Sequence, residues 1–334
     1  MHMSDAMLSP AVAIAADVAA GALLVIAGSR IRKSGRENLV PLMGVTGAFI
    51  FAAQMVNFAI PGTGSSGHIV GGVLLAALLG PWAGFLTLAS VLIIQCLIFA
   101  DGGLMAIGCN ILNMGAMTAL VAYPLLFRPL LGTGSDRRPS VLKIFMVSIL
   151  ACVVGLELGA VMVSLETLAS GVTSIPPGKF MLLMTAIHFV IGVGEGLATG
   201  AVIVFVHKTS PSLLEGDGHA KTRRHRIKGP VIAFAIAAAV IAGGLSFLAS
   251  SDPDGLEWSI AKVSGSTELP EVATPLSSGS RAIQSATSVM PDYENSFSGI
   301  VGAAVVLILV WSVSSLLVRK RQPVAVSTPK PDRP

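Results

Sequence analysis

Eight apolar runs, each near the length of a bilayer crossing, divide this chain. They fall near 10–29, 40–60, 82–100, 104–127, 144–168, 180–206, 230–249 and 298–318. A helix needs about 20 apolar residues to cross the hydrocarbon core. Backbone at that depth has to satisfy its own hydrogen bonds, so such runs fold as helices. Only 12% of the residues are charged, against about 25% in soluble domains. The expected fold class is an all-α polytopic membrane protein. The three cysteines, Cys96, Cys109 and Cys152, lie in apolar runs, too sparse for a secreted disulfide scaffold. The start, Met1-His2-Met3-Ser4-Asp5, has no basic stretch and does not read as a cleavable signal peptide.

A ninth run, 68–79, ends at Gly80-Pro81 and is short for a full crossing. Counting it as a crossing, or an equivalent break, puts the N-terminus outside, the C-terminus inside and nineteen of the 22 Lys and Arg residues in cytoplasmic loops. Without it every later loop inverts and the bias disappears, so the basic residues favour a break there. Residues 1–208 then form a seven-segment permease bundle. Residues 209–228 are a basic cytoplasmic linker, and 229–320 a two-helix hairpin with a long outer loop near 250–297. The Pro-rich end, 321–334, is expected to be a disordered tail.

Met1-His2 carries the first chemical signal. A bulky second residue is expected to leave Met1 in place. The free amine, the His2 amide nitrogen and the His2 Nδ1 can then chelate one cation through fused five- and six-membered rings. Another imidazole would complete a planar nitrogen set, which suits Ni(II) or Cu(II). An ordinary frayed terminus remains the alternative from the dipeptide alone. Gly62-Thr63-Gly64-Ser65-Ser66-Gly67-His68 contains GxGxxG, but it follows a membrane helix rather than a strand, so it is a poor dinucleotide site. It reads better as an outer loop presenting His68 on the same side as His2. Asp101, Asn110 and Asn113 are costly at membrane depth and are functional candidates; a helix cap and interhelical hydrogen bonds are their plainer readings. His188 and Glu195 lie seven apart on one helix face, as a proton or cation relay or as a packing pair. Gly155/Gly159, Gly192/Gly196 and Gly196/Gly200 carry GxxxG spacing, the mark of close helix approach. The outer-loop acids Asp252, Asp254, Glu257, Glu268, Glu271, Asp292 and Glu294 face two cations, Lys262 and Arg281; such a field would draw cations weakly.

Several blocks together carry a family resemblance: the Met-His start, His68-Ile69-Val70-Gly71-Gly72, Leu79-Gly80-Pro81-Trp82-Ala83-Gly84, Asp101-Gly102-Gly103, Asn110 to Gly115, and His188 to Leu197. They resemble the CbiM/NikM family, substrate-binding permeases of energy-coupling-factor transporters for cobalt and nickel, over roughly 1–207. Pro253-Asp254-Gly255-Leu256-Glu257 resembles the PDGLE (NikN-like) accessory domain. The resemblance implies that the metal takes the Met1 amine, the His2 amide and imidazole, and His68. It also implies two ABC-type ATPase subunits and a coupling transmembrane subunit as partners (NikO/CbiO- and NikQ/CbiQ-like), in a bacterial or archaeal cytoplasmic membrane.

No Walker A motif is present: Gly178-Lys179 is followed by Phe180. P-loop ATP hydrolysis by this chain is not expected, nor are zinc-protease or nucleophile-elbow chemistries. The transported metal, Ni(II) or Co(II), is thus a substrate rather than a cofactor. Nickel is favoured by the PDGLE-like fusion and the planar nitrogen set, with cobalt second. A gradient-driven cation carrier using His188 and Glu195 is the competing class. His207, His219 and His225 are too irregularly spaced for a convincing metal tract.

Overall fold

A computed structural model describes residues 1–35, 39–132, 139–214, 228–270, 272–293 and 297–317. The linker between 215 and 227, the tail 321–334, His219, His225, Glu271 and Glu294 lie outside the described residues.

The first helix, α1 (Pro10–Ser34), starts where Ser9 accepts from the Val12 N–H and Pro10 needs no donor partner; it stops at Gly35, φ 61°. α2 (Leu39–Gln54) leads into a two-stranded hairpin, β1 (Phe58–Ile60) and β2 (Ser65–Gly67). The apolar run 40–60 is therefore not helical to its end: its last residues pair Phe58 with Gly67 and Ile60 with Ser65. α3 (Gly72–Leu79) and α4 (Pro81–Phe99) follow, then one continuous helix, α5 (Ile107–Leu131), wound with π geometry over Ile111–Phe127. α6 (Val141–Ser170) and α7 (Pro177–Thr209) complete the first unit. The second holds α8 (Lys228–Gly243), α9 (Gly255–Ser264), α10 (Pro275–Thr287) and α11 (Ser298–Leu317).

Six helices, α1, α4, α5, α6, α7 and α11, are long and apolar enough to cross a membrane; α2 and α8 are shorter apolar helices. At eight residues, α3 is about 12 Å long and cannot cross alone. It lies between α2 and α4, where the basic residues favour a crossing or an equivalent break. The Arg30 guanidinium lies over the Trp82 ring at 5.7 Å, so the end of α1 and the start of α4 share one end of the bundle. Non-helical backbone at membrane depth is tolerated where protein surrounds it, and Ser65, Ser66 and all of α3 are buried.

The bundle is apolar outside as well as inside, and its buried polar side chains are few. On α7, Leu182, Phe189, Leu197 and Phe205 are exposed, whereas Met184, His188, Glu195 and Thr199 are buried. The GxxxG glycines sit at crossings. A Cβ at Gly192 would lie 2.8 Å from the Val153 Cα, and Gly196 abuts the Ile149 backbone, which locks α6 on α7.

The long outer loop holds two helices, α9 and α10. Asp254 caps α9, accepting from the Leu256 and Glu257 N–H groups, while Glu257 accepts from the Asp254 N–H. That reciprocal pattern is a capping box, legible as Asp-x-x-Glu. α9 packs beside α7, and α10 beside α4. α8 and α11 flank α2, through Phe234 against Phe49 and Ser314 against the Met43 sulfur.

Candidate metal centre

The first eight residues thread into the bundle rather than fray. Met1, Met3 and Met7 are buried. Asn110 grips the strap by its backbone: its Oδ1 accepts from the Met3 N–H at 2.7 Å and its Nδ2 donates to the Met3 carbonyl at 3.2 Å. The Gly103 N–H donates to the same carbonyl, and the Ala106 N–H donates to Asp5. Gly103 has no room for a side chain; a Cβ there would lie 2.5 Å from the Asp5 nitrogen. Asn110→Ala removes both bonds to Met3 and leaves a buried donor unpaired. The expected cost to the strap is about 1–3 kcal/mol, read as amide exchange at Met3 about five- to 150-fold faster, by about 1.4 kcal/mol per decade.

This strap delivers His2 to His68. The two imidazoles stack with centroids 5.5 Å apart and planes 26° apart. His68 Nδ1 lies 3.1 Å from the Ile69 carbonyl; a proton there leaves Nε2 as the free lone pair. Enclosure, helped by the nearby terminal amine and His2, pulls the His68 pKa down to about 4, so the ring is neutral at ordinary pH. Burial also lowers His2, against the pull of Asp101. The His2 Nδ1 sits 3.2 Å from Asp101 Oδ1, and its Nε2 is buried without a hydrogen-bond partner.

The Met1 amine lies 2.9 Å from Asp254 Oδ2. Burial alone would raise the Asp254 pKa, but the amine, His68 and its hydrogen bonds hold the carboxyl well below its usual range. A cavity of about 850 Å³ opens beside these groups, lined by His2, His68, Asp101, Asp254, Arg281 and Tyr293, among others. Among the described residues, no three His, Cys, Asp or Glu side chains converge as a metal cage.

The other sequence candidates divide. Asp101 faces His2 and accepts from the Tyr293 hydroxyl at 2.7 Å, and it does not cap a helix N-terminus. Asn113 donates to Glu166 at 2.6 Å, beside Met3. His188 and Glu195 are not joined. His188 Nδ1 bonds the Met184 carbonyl at 2.8 Å, and its ring edges a small gap shared with Met1, His68 and Asp254. Glu195 accepts from the Val70 and Gly71 N–H groups at 2.7 and 2.9 Å. It therefore anchors the start of α3, where backbone donors are otherwise orphaned, and so fixes the loop carrying His68.

The model of a family described as the cobalt uptake substrate-specific transmembrane region, CbiM, matches residues 2–213. The chain belongs to the CbiM family. Residues 228–319 match the PDGLE domain. Over 311 residues the CbiM-family chain is 32% identical to a NikMN protein of Archaeoglobus fulgidus, covering 92% of this chain and 96% of that one. It is 29% identical over 229 residues to the fused nickel transport protein NikMN of Rhodobacter capsulatus, 64% of each chain. The cobalt transport protein CbiM of Geobacter sulfurreducens is 26% identical over 227 residues, covering 65% of this chain and 62% of that one. A crystal structure of a transition metal transporter superposes with a TM-score of 0.53 at 29% identity, over 62% of this chain and 93% of that one. The protein is thus a CbiM-type membrane transport component fused to a PDGLE domain.

The site residues not singled out from sequence are those supplied from a distance: Gln54 and Gln95, bonded to each other at 3.0 Å beneath the loop, Glu166, Tyr293 and Gln284. Asp254 was visible only as part of a motif and of an acidic loop; its capping box was the local sign that it begins a helix.

Proposed function

We propose that this chain is the substrate-binding membrane component of an energy-coupling-factor importer for Ni(II), with Co(II) the second choice. The observation that supports this best is the buried terminus, whose His2 ring stacks on His68 at 5.5 Å beside a buried amine. In this reading the Met1 amine, the His2 amide nitrogen and Nδ1, and His68 Nε2 form a planar nitrogen set, the geometry preferred by Ni(II) and Cu(II). The His2 Nδ1 now faces Asp101, so closing the chelate turns that ring and frees it from the carboxylate. Copper ranks above nickel in intrinsic affinity; geometry and supply then decide the cargo.

Residues 1–208 act as the permease, 209–228 as a cytoplasmic linker and 229–320 as an accessory unit. The metal end of the bundle faces outside the cytoplasmic membrane, and the basic loops face inside. ATP hydrolysis is left to two ABC-type ATPase subunits joined through a coupling transmembrane subunit. The names of the fused nickel relatives favour nickel over cobalt.

The test is metal analysis of the purified full chain carrying its native Met1. One nickel per chain is expected, with an anomalous-scattering peak between His2 and His68. His68→Ala is expected to lower nickel affinity at least a hundredfold, or about 2.7 kcal/mol at 1.4 kcal/mol per decade. Metal held only at the cytoplasmic histidines, or unaffected by His68→Ala, sinks the assignment.

A further inference from the structure

The two carboxylates touching the terminal dipeptide divide its donors between them: Asp254 holds the Met1 amine and Asp101 holds the His2 Nδ1. Asp101 is in turn set by the Tyr293 hydroxyl at 2.7 Å. Tyr293 is itself braced, its ring stacked on Phe99 at 4.7 Å and 17°. Asp254 and Tyr293 both belong to the PDGLE unit, far along the chain from every donor atom. A third residue of that unit, Gln284, donates to the Gly102 carbonyl at 2.8 Å and to the Cys96 carbonyl at 3.0 Å, tying down the turn that carries Asp101.

We propose that the C-terminal unit completes the metal centre with one positioning residue, Asp254, which holds the Met1 amine. This rests on the reading of Met1 and His2 as ligands. The hairpin is then a structural part of the binding pocket rather than an appendage to it.

The geometry of Asp254 is over-determined, which is what a positioning residue needs. Its Oδ1 accepts from the Leu256 and Glu257 N–H groups at 2.8 and 2.9 Å, which pins the carboxylate to the first turn of α9. Its Oδ2 is left for the amine. The turn before it is fixed as well: the Ser66 N–H donates to the Pro253 carbonyl at 2.8 Å, and the Trp258 indole donates to the Thr63 carbonyl at 3.0 Å. The β1–β2 hairpin that leads to His68 is therefore the same surface on which Asp254 is mounted. Gly255 is required at the contact, since a Cβ there would lie 2.9 Å from Ile191 and 3.1 Å from the His188 ring.

Without metal, Asp254 gives a buried ammonium its counter-charge, so the tip stays in the pocket. With metal, the coordinated amine keeps N–H bonds to donate to the same oxygen. A divalent ion bound through one deprotonated amide carries one net positive charge, which Asp254 balances. Groups that orient metal ligands in this way are worth about 10–100-fold in affinity.

The test uses the full chain with its native terminus and nickel alone as the probe. Asn caps helices as well as Asp, so Asp254→Asn keeps α9 while removing the charge facing the amine. Nickel affinity is expected to fall about 10–100-fold, and the metal-free protein to melt at a lower temperature, because the buried ammonium loses its counter-charge. In the metal-free protein, mass spectrometry of the N-terminal peptide is expected to show the α-amine acetylated at least tenfold faster than in wild type. That readout does not move for a residue that only caps α9. Tyr293→Phe, which keeps the ring stack and does not touch the amine, is the control variant; its amine is expected to stay protected. Wild-type affinity and wild-type amine protection in Asp254→Asn overturn the proposal. If His68→Ala also binds nickel as wild type does, the ligand reading has failed; if His68→Ala loses nickel while Asp254→Asn retains it, only this inference has.

Discussion

One residue added ahead of Met1 is expected to cost the protein its nickel. The extension turns the primary amine into a peptide nitrogen, which opens the five-membered ring of the proposed chelate and removes the charge that faces Asp254 at 2.9 Å. Breaking a buried ion pair by deleting one partner costs about 3–5 kcal/mol. That cost falls on the seating of the terminus; the lost nitrogen donor is itself expected to lower nickel affinity at least a hundredfold, or about 2.7 kcal/mol at 1.4 kcal/mol per decade. Space points the same way. Met1 is 3% exposed, and its methyl group would touch a Cβ at Gly159 at 3.0 Å. Nickel titration of a chain beginning Gly-Met-His against the native chain checks this. Acetylating the native amine should reproduce the loss, whereas a tag at the C-terminus should not. Equal affinity in the extended and native chains would remove the amine from the site.

The second large effect is expected at Glu195. Replacing it with Ala leaves the Val70 and Gly71 N–H groups without acceptors in a buried, apolar setting, at about 1–3 kcal/mol each. The loop carrying His68 then loses its anchor, so thermal stability in detergent and nickel affinity should fall together. Glu195→Gln is the more telling variant. Its single carbonyl oxygen replaces one of two acceptors, and its amide nitrogen confronts the remaining N–H. Partial loss of both properties is expected. A proton relay predicts a different outcome: full stability and nickel binding with transport abolished. The separate partners of His188 and Glu195 already count against direct exchange between them.

What the sequence made legible follows the physics of each feature. Apolar runs report burial in lipid, so α1, α4, α5, α6, α7 and α11 lay close to the expected spans. The run 40–60 was misread because the hairpin at its end is as apolar as a helix; Phe58 and Ile60 carry no sign of pairing with Gly67 and Ser65. The short run 68–79 was legible from its length and its Gly80-Pro81 end, and the charge bias favoured a break there without telling how the chain gets across. GxxxG spacing marked close helix approach but not the partner: Gly192 and Gly196 meet α6, whereas Gly155 and Gly159 meet α5. The pairing of Met1 with Asp254 spans 253 positions and leaves no local trace. The dipeptide told what it can bind, and the fold told where it is kept.

That span has a consequence for biogenesis. At about 5–20 residues per second of synthesis, the first residue emerges on the order of 10–50 seconds before its carboxylate partner exists. Throughout that interval the amine has no counter-charge, and the strap is held only by partners such as Asn110, Gly103 and Ala106 once they are made. Closure of the pocket is therefore a late event in the life of the polypeptide. A truncated product ending before residue 254 would be inserted in the membrane yet left with an unguarded terminus.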